Sequence, residues 1–566
     1  MEARENNFKS IVTNENRLDI PFFQRHYTWN EEHWERLFDD LYDSFINNTT
    51  HFVGSVILKR NGGNDNFAIV IDGQQRLTTF SILLKVLYDK IDENKRKHFE
   101  NCLFETYKDD SPKINHSKID REKYTSLFNN EIDTNAKEGI FGCYNYFNTR
   151  TESKSNDELF EFMKFICETK IFVLVTLNAN EDEQKIFDSI NSTGAPLNAS
   201  DIIKNALFDK AIKINNEEWA LKIYEKYWES VFEKDDEMRK FWITKIGKDA
   251  RTRSENLLHS FALIKGFFDS QKDKLSELSL IYKTHISSLE NKEDLESFLN
   301  EIKVYANIYS EFPKITKQTF YKFDDFKSRL FHILNISDIM VFIPVVLYIF
   351  KTKDLHEQEQ MCKVIETLVI RFYITHKATN GFNKLLSEML KKAGNKDSLI
   401  DFINNHNSFR LPSNNDMCNK LKTLWDNGDN KRANLILFWI ELFRRSKEQN
   451  TKDIVELADV YSLEHLMPQS WEENWHQYAN NDDEADELIY QIGNMTILKG
   501  SLNSSLKNKD WETKLNGDGK LKNCIKRSAD LIVNKELLDK KAWNKDEIEK
   551  RTKILSDNFL KIWSIK

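Results

Sequence analysis

Three short stretches near the C-terminal end carry residues that could do chemistry. Ser462-Leu463-Glu464-His465-Leu466-Met467-Pro468 holds an acid–histidine pair. Ile492-Gly493-Asn494-Met495-Thr496 brings an asparagine twenty-nine residues after the histidine, and Leu502-Asn503-Ser504 a second one nine residues later. An imidazole with an ordinary pKa of about 6.5 can take a proton from water near neutral pH. Carboxylate and amide oxygens suit a hard cation such as Mg2+ or Mn2+. The order and spacing are those of a single-metal phosphodiester hydrolase, with His465 as general base and Glu464 and Asn503 as metal ligands. Asn494, in a Gly-Asn turn, is read as the residue that pins the loop and orients His465. Neighbours on a regular strand point to opposite faces, so this assignment requires a twist at Glu464–His465. Lys507, Lys509 and Lys514 follow closely, within reach of a phosphate backbone.

A second constellation lies near the start. The apolar run Phe67 to Ile71 leads into Asp72-Gly73-Gln74-Gln75-Arg76 and then an amphipathic pattern, Leu77, Phe80, Leu83, Leu84 and Leu87. A strand, a glycine turn and a helix N-terminus aim free backbone N–H groups and the positive end of the helix dipole at one point, which suits a phosphate. Arg76 would add a fork of donors, and Asp72 a contact to a metal-bound water or a hydroxyl. An isolated Asp-Gly turn beside an incidental arginine is the plainer structural reading. Upstream, Ile20-Pro21-Phe22-Phe23-Gln24-Arg25-His26-Tyr27-Thr28-Trp29 is dense in aromatics. Phe22 reads as core, whereas Gln24, Arg25 and Tyr27 could hydrogen-bond and stack on a base. Downstream, Asp188, Asn191 and Gly194 stand in a polar turn before Pro196 and could close the same pocket. No G-x-x-x-x-G-K-[ST] is present, which excludes a P-loop as the nucleotide engine.

The elements that must hold these residues are mostly helices. With 16 Gly and 7 Pro in 566 residues, sharp turns are few, which favours helices over sandwiches and barrels. Phe52–Leu58, Phe67–Ile71 and Ile171–Leu177 read as strands. Trp34, Leu37, Phe38, Leu41 and Phe45 mark a helix, and Asn198 or Ser200 caps another. Residues 211–448 are helical in pattern and carry no metal or nucleophile cluster. Arg371, Tyr373 and His376, near a helix end there, are read as satisfied contacts rather than DNA ligands. The expected organisation is mainly helical α+β, with domains at 1–210, 211–448 and 449–566.

Six scattered cysteines with no C-x-x-C argue against a zinc site or a disulfide framework and for a reducing, cytoplasmic setting. The apolar run 339–350 is too short to cross a membrane and contains Pro344. No apolar leader is visible at the N-terminus. The net charge of −8 disfavours indiscriminate coating of nucleic acid, yet the segment from Gln491 onward carries 17 Lys/Arg against 10 Asp/Glu, positive charge where a nuclease would need it.

Taken together, I-P-F-F-Q-R-H-Y-T-W (20–29), I-D-G-Q-Q-R-L-T-T (71–79) and F-D-S-I-N-S-T-G-A-P-L (187–197) resemble the DUF262 family. E-H-L-M-P-Q…I-G-N-M-T-I-L…L-N-S resembles DUF1524. The pair in one chain resembles the GmrSD-type modification-dependent (type IV) restriction enzymes of anti-phage defence. The resemblance implies a ParB-like α/β domain that binds and hydrolyses a nucleoside triphosphate (GTP, ATP or another) through Asp72, Gly73, Gln74, Gln75 and Arg76, with Asp188, Asn191 and Gly194 in the same pocket. It implies that Gln24, Arg25, Tyr27 and Trp29 flank that pocket and help sense modified DNA. It further implies that the C-terminal part is an HNH endonuclease of ββα-metal type. Lys507 and Lys509 would contact the DNA. The competing expectations are a nucleotide-gated sensor of DNA modification whose HNH-like end binds without cutting, and a nuclease acting on RNA. The sequence leaves the DNA mark, the preferred nucleotide and the oligomeric state open, a homodimer included.

Overall fold

The computed structural model describes all residues except 1, 61–66, 106–110, 178–197, 247–249, 317–318, 377–380, 407–409, 426–428, 448–455, 519–522, 529 and 565–566. The chain folds into two compact units, Met1–Tyr224 and Glu225–Lys566.

The first unit is built on a six-stranded sheet. In chain order its strands are β1 (Glu2–Asn7), β2 (Arg17–Asp19), β3 (Gly54–Arg60), β4 (Phe67–Asp72), β5 (Ile114–Asn115) and β6 (Lys170–Leu177). They lie in the order β1-β6-β3-β4-β2-β5. β3 runs parallel to β6 and antiparallel to β4, while β2 runs parallel to both β4 and β5. The three strands expected from apolar, β-branched runs are therefore three adjacent inner strands. A register shift between Ile57 and Leu58 falls where β3 faces Asp72. A bulge there bends the strand under the glycine turn.

Three helices of this unit bury side chains in its core: α1 (Phe8–Thr13), α2 (Glu31–Asn47) and α3 (Gln74–Lys90). α3 is buried on nearly every side, with Leu77, Phe80, Leu83, Leu84 and Leu87 fully buried. Its apolar residues form the centre of the core, and Phe80 sits there between Phe8 and Phe172, with ring centroids 5.7 and 4.9 Å away. α2 buries Trp34, Leu37, Phe38 and Leu41 on one face, starts at an Asn30 cap and ends at Asn48 in the left-handed region. His116, enclosed beside α3, shares a hydrogen bond with the Thr78 hydroxyl at 2.9 Å. Burial pushes its imidazole down to about 3, so it is a neutral strut. The expected helix after residue 198 is Ala199–Ile214, and its cap is Asn198, whose side chain accepts from Asp201 N.

The second unit is mainly helical and holds both the stretch 225–447 and everything described after 456. Charged side chains buried in its interior fasten early helices to late segments. Arg371, fully buried, donates to the carbonyls of Trp563 and Pro412 and to Asn414 Oδ1. It is a strut, and burial pushes its guanidinium down to about 10. Glu441 accepts from Ile532 N and Val533 N, and Glu366 from Trp563 Nε1. Because these bonds cross position 448, the polar break there does not divide the unit. Among the described residues no helix is long and apolar enough to cross a membrane.

Candidate active sites on the two units

In the second unit the strand Tyr461–His465 pairs antiparallel with Met495–Lys499, and the helix Gly500–Leu506 follows directly. Glu464 stands opposite Thr496 and His465 opposite Met495, with no shift in register. The expected twist between Glu464 and His465 is absent, and the pleat sends them apart. The His465 ring is edge-on to Tyr490, centroids 6.0 Å apart. The Glu464 carboxylate turns inward to Lys514, whose Nζ donates to Glu464 Oε1 at 2.6 Å and to the His465 carbonyl at 3.0 Å.

Lys514 is wholly buried, which removes it from the lysines available to a phosphate backbone. Lys507 and Lys509 remain exposed, the latter 3.9 Å from Asp518. Burial pushes the Glu464 carboxyl up and the Lys514 ammonium down, and each partner restores part of the other's charge.

The two asparagines divide their work. Asn494 is completely buried, and its amide is saturated. Oδ1 accepts from Met467 N (2.8 Å) and Trp543 Nε1 (3.0 Å), and Nδ2 donates to Met467 O (2.9 Å) and Ile489 O (3.0 Å). It fixes the chain just after His465 and, fully buried, cannot touch substrate. Asn503 spends both amide hydrogens on the strand that carries His465, to Ser462 Oγ at 2.8 Å and Leu463 O at 2.7 Å. Its amide oxygen is left uncommitted by these bonds.

Gly493 explains the rest of that motif. The final helix Lys545–Ile562 packs directly on the turn, and a Cβ at Gly493 would lie 2.5 Å from Thr552 N, with the Ile548 carbonyl closer still. Arg551 closes the turn by donating to Gly493 O (2.7 Å) and Met495 O (2.6 Å). Gly493→Ala is expected to destabilise the unit by about 3 kcal/mol or more, since rigid backbone cannot yield as a side chain would. Its thermal midpoint checks this, and a midpoint unchanged from wild type would refute the close-packing account.

In the first unit, Asp72 ends β4, Gly73 takes φ +93° and α3 begins at Gln74 with no side-chain cap. That φ favours glycine, and a Cβ would press on Ser55 O and Val56 at 3.1 Å. Arg76 lies across the start of β3, with Nη1 donating to Ser55 O at 2.8 Å. Its guanidinium passes so close to Gly54 that a Cβ there would meet Nε at 2.7 Å.

The two glutamines differ from expectation. Gln75 is spent on the chain: its Oε1 accepts from Thr28 N at 2.8 Å and its Nε2 donates to His26 O at 3.1 Å. Gln74 Nε2 reaches Arg25 O at 3.5 Å, whereas its buried Oε1 has no hydrogen-bond partner. The pair thus staples residues 25–28 to the start of α3.

Tyr27 is likewise internal. Its hydroxyl meets Thr79 Oγ1 (2.6 Å) and Trp34 Nε1 (2.8 Å), and its backbone N donates to Asp120 (2.6 Å). It cannot stack on a base. Trp29 stacks on His33, and Gln24 is buried. Arg25 is half-buried. Asp188, Asn191 and Gly194 lie outside the described residues.

Sequence reasoning passed over the Lys514–Glu464 pair, the Trp543 bond to Asn494 and the row Trp425–Tyr490–His465. In that row the half-exposed Trp425 stacks on Tyr490 at 4.8 Å. A lysine fifty residues from its partner leaves no mark in a sequence pattern, and neither does a ring contact across a loop.

One chain therefore carries a glycine-turn, helix-start site on a sheet and a histidine–asparagine site on a hairpin, each in its own compact unit. This is a two-part chain with a separate candidate site on each unit. Residues 8–208 match the model of the GmrSD restriction endonuclease N-terminal domain, and residues 413–558 that of the GmrSD C-terminal domain, so the chain belongs to the GmrSD restriction endonuclease family. A search of curated proteins found no match.

Proposed function

We propose that this chain is a divalent-metal-dependent DNA endonuclease, controlled by a nucleoside triphosphate, that cuts or nicks modified or foreign DNA in anti-phage defence. The observation that carries the cutting half is the orientation of Asn503. With both N–H groups held by Ser462 and Leu463, its oxygen is left uncommitted against the strand that bears His465. Among the described residues no cluster of three or more His, Cys, Asp or Glu could hold a metal. The fit is therefore to a hard cation taken by few protein oxygens, Asn503 Oδ1 and the Glu464 oxygen that Lys514 leaves over, with water and phosphate completing the shell. Such a cation supplies charge to the scissile phosphate and its leaving oxygen.

The chain's own residues do the remainder in the HNH (ββα) manner. His465 takes the proton of the attacking water, Asn494 fixes the backbone that carries it, and Asn503 holds the helix to the strand. Trp425 and Tyr490 offer a stacking face for a strand, and Lys507 and Lys509 offer charge to its phosphates.

Nucleotide control is supported by the uncapped start of α3, the left-handed Gly73, the Arg76 fork held by a single hydrogen bond among the described residues, and the unpartnered Gln74 oxygen. Asp72, Gly73, Gln74 and Arg76 would face the phosphates, while Gln75 keeps the 25–28 segment in place. Arg76→Ala is expected to weaken nucleotide binding by roughly 10- to 100-fold, the worth of a charge-assisted hydrogen bond. Fluorescent-nucleotide titration measures it, and wild-type binding and hydrolysis in that variant would rule the pocket out.

The direct test of the whole reading is cleavage of plain, hydroxymethylated, glucosylated and phosphorothioated DNA with Mg2+ or Mn2+, each nucleoside triphosphate present or absent. Cutting of a modified DNA that depends on nucleotide supports it. Binding without cutting under every condition favours a sensor.

A further inference from the structure

The carboxylate carried near the end of the strand Tyr461–His465 is paired off within the protein. Glu464 contributes one negative charge, and Lys514 Nζ, 2.6 Å away and fully buried, cancels it. His465, Asn494 and Asn503 are neutral groups when ready to act. No further acidic residue among the described ones joins them in a metal-binding cluster. Sites that hold a hard divalent cation by protein alone present several anionic oxygens, whereas this one offers a half-committed carboxylate and one amide oxygen. The ammonium is also fixed: it is tied to the His465 carbonyl at 3.0 Å as well as to Glu464, in a helix, Trp511–Asn516, capped by Asp510. It cannot swing away when a cation arrives.

We propose that Lys514 is a positioning residue that acts as a built-in counter-charge, so that the divalent cation enters only together with the phosphodiester. This rests on the nuclease reading above and adds how that site is regulated. A DNA strand brings the missing anionic oxygens, and a cation between strand and site then sees net negative charge. Coupling of this kind is reciprocal: DNA raises affinity for the cation, and the cation raises affinity for DNA. The free enzyme carries no charged metal site and has no armed hydrolytic centre. The backbone bond from Lys514 to His465 O gives the same ammonium a second task, holding the general base at the strand end whether or not a cation is bound.

The test is Mn2+ uptake by the full chain, read from the loss of the free-ion EPR signal, with thermal midpoint as a second readout. Without DNA, wild type is expected to take up Mn2+ weakly and to gain no thermal stability from it. Lys514→Met is expected to bind one Mn2+ about tenfold or more tightly, because a unit charge a few ångströms from the cation has gone, and to regain midpoint as Mn2+ is added. Lys514→Gln repeats the measurement should the methionine variant fold poorly. Lys514→Arg, which keeps the charge, should behave as wild type. In a His465→Ala background, which spares the DNA, adding the duplex that supports cleavage should raise Mn2+ affinity by a similar factor. Wild-type protein that binds Mn2+ without DNA as tightly as Lys514→Met would overturn the counter-charge while leaving the nuclease reading intact. No Mn2+ uptake by any variant, with DNA or without, would sink both.

Discussion

His465→Ala enzyme is expected to cut DNA roughly 10²- to 10⁴-fold more slowly than wild type with Mg2+ or Mn2+, the usual worth of a general base. The nucleotide hydrolysis proposed for the chain should be unchanged, because the residues proposed for it belong to a different compact unit. The loss should be chemical and not structural. The strand end on which His465 stands is secured by bonds that do not involve the imidazole: Asn494 to Met467, Asn503 to Leu463 and Lys514 to the His465 carbonyl. The thermal midpoint should therefore stay close to wild type while cleavage collapses. Asn494→Ala should do the reverse in part, lowering midpoint and cleavage together, since it empties four buried hydrogen bonds. Wild-type cleavage by the His465 variant would end the nuclease assignment.

A second large effect concerns the buried ion pair. Removing one partner leaves the other charged where burial has stripped most of its solvation, so Lys514→Met and Glu464→Leu should each destabilise the second unit by about 3–5 kcal/mol. Replacing both at once with apolar residues of similar volume should cost far less than the sum of the two, because the penalty lies in the orphaned charge and not in the loss of attraction. The directions of the two pKa shifts agree with this. For each group burial is the leading influence and the partner's charge only offsets it. The double variant is thus the informative one: a well-folded protein that fails to cleave assigns the pair to function. Thermal unfolding of the three variants decides it. Strictly additive losses would show that Glu464 and Lys514 act independently, against the 2.6 Å contact.

Some of this protein could be read directly from its residues. Alternating and continuous apolar runs determined three adjacent inner strands, because only a buried pleated segment has use for so many β-branched side chains. Helical spacing determined α2 and α3, since an apolar stripe must find a core. The Asn198 cap and the run of the Asn503 helix directly off the hairpin were legible for the same reason: each is set by a few neighbouring residues or by a hairpin and the helix that follows it. The family could be read from motifs many residues long, occurring in order.

What the linear order left undecided is which way a polar side chain faces. Gln75 and Tyr27 look like ligand-binding residues in their motifs, and in the fold they are spent on Thr28, His26, Thr79 and Trp34. Glu464 looks like half of a metal pair, and in the fold one of its two oxygens is already committed to Lys514. The physical reason is the same in each case. A buried donor or acceptor must be satisfied, and the group that satisfies it comes from whatever segment the fold brings alongside, fifty or a hundred residues away. Lys514 reaches Glu464, and Arg371 reaches Trp563, only because helices far apart along the chain pack into one interior.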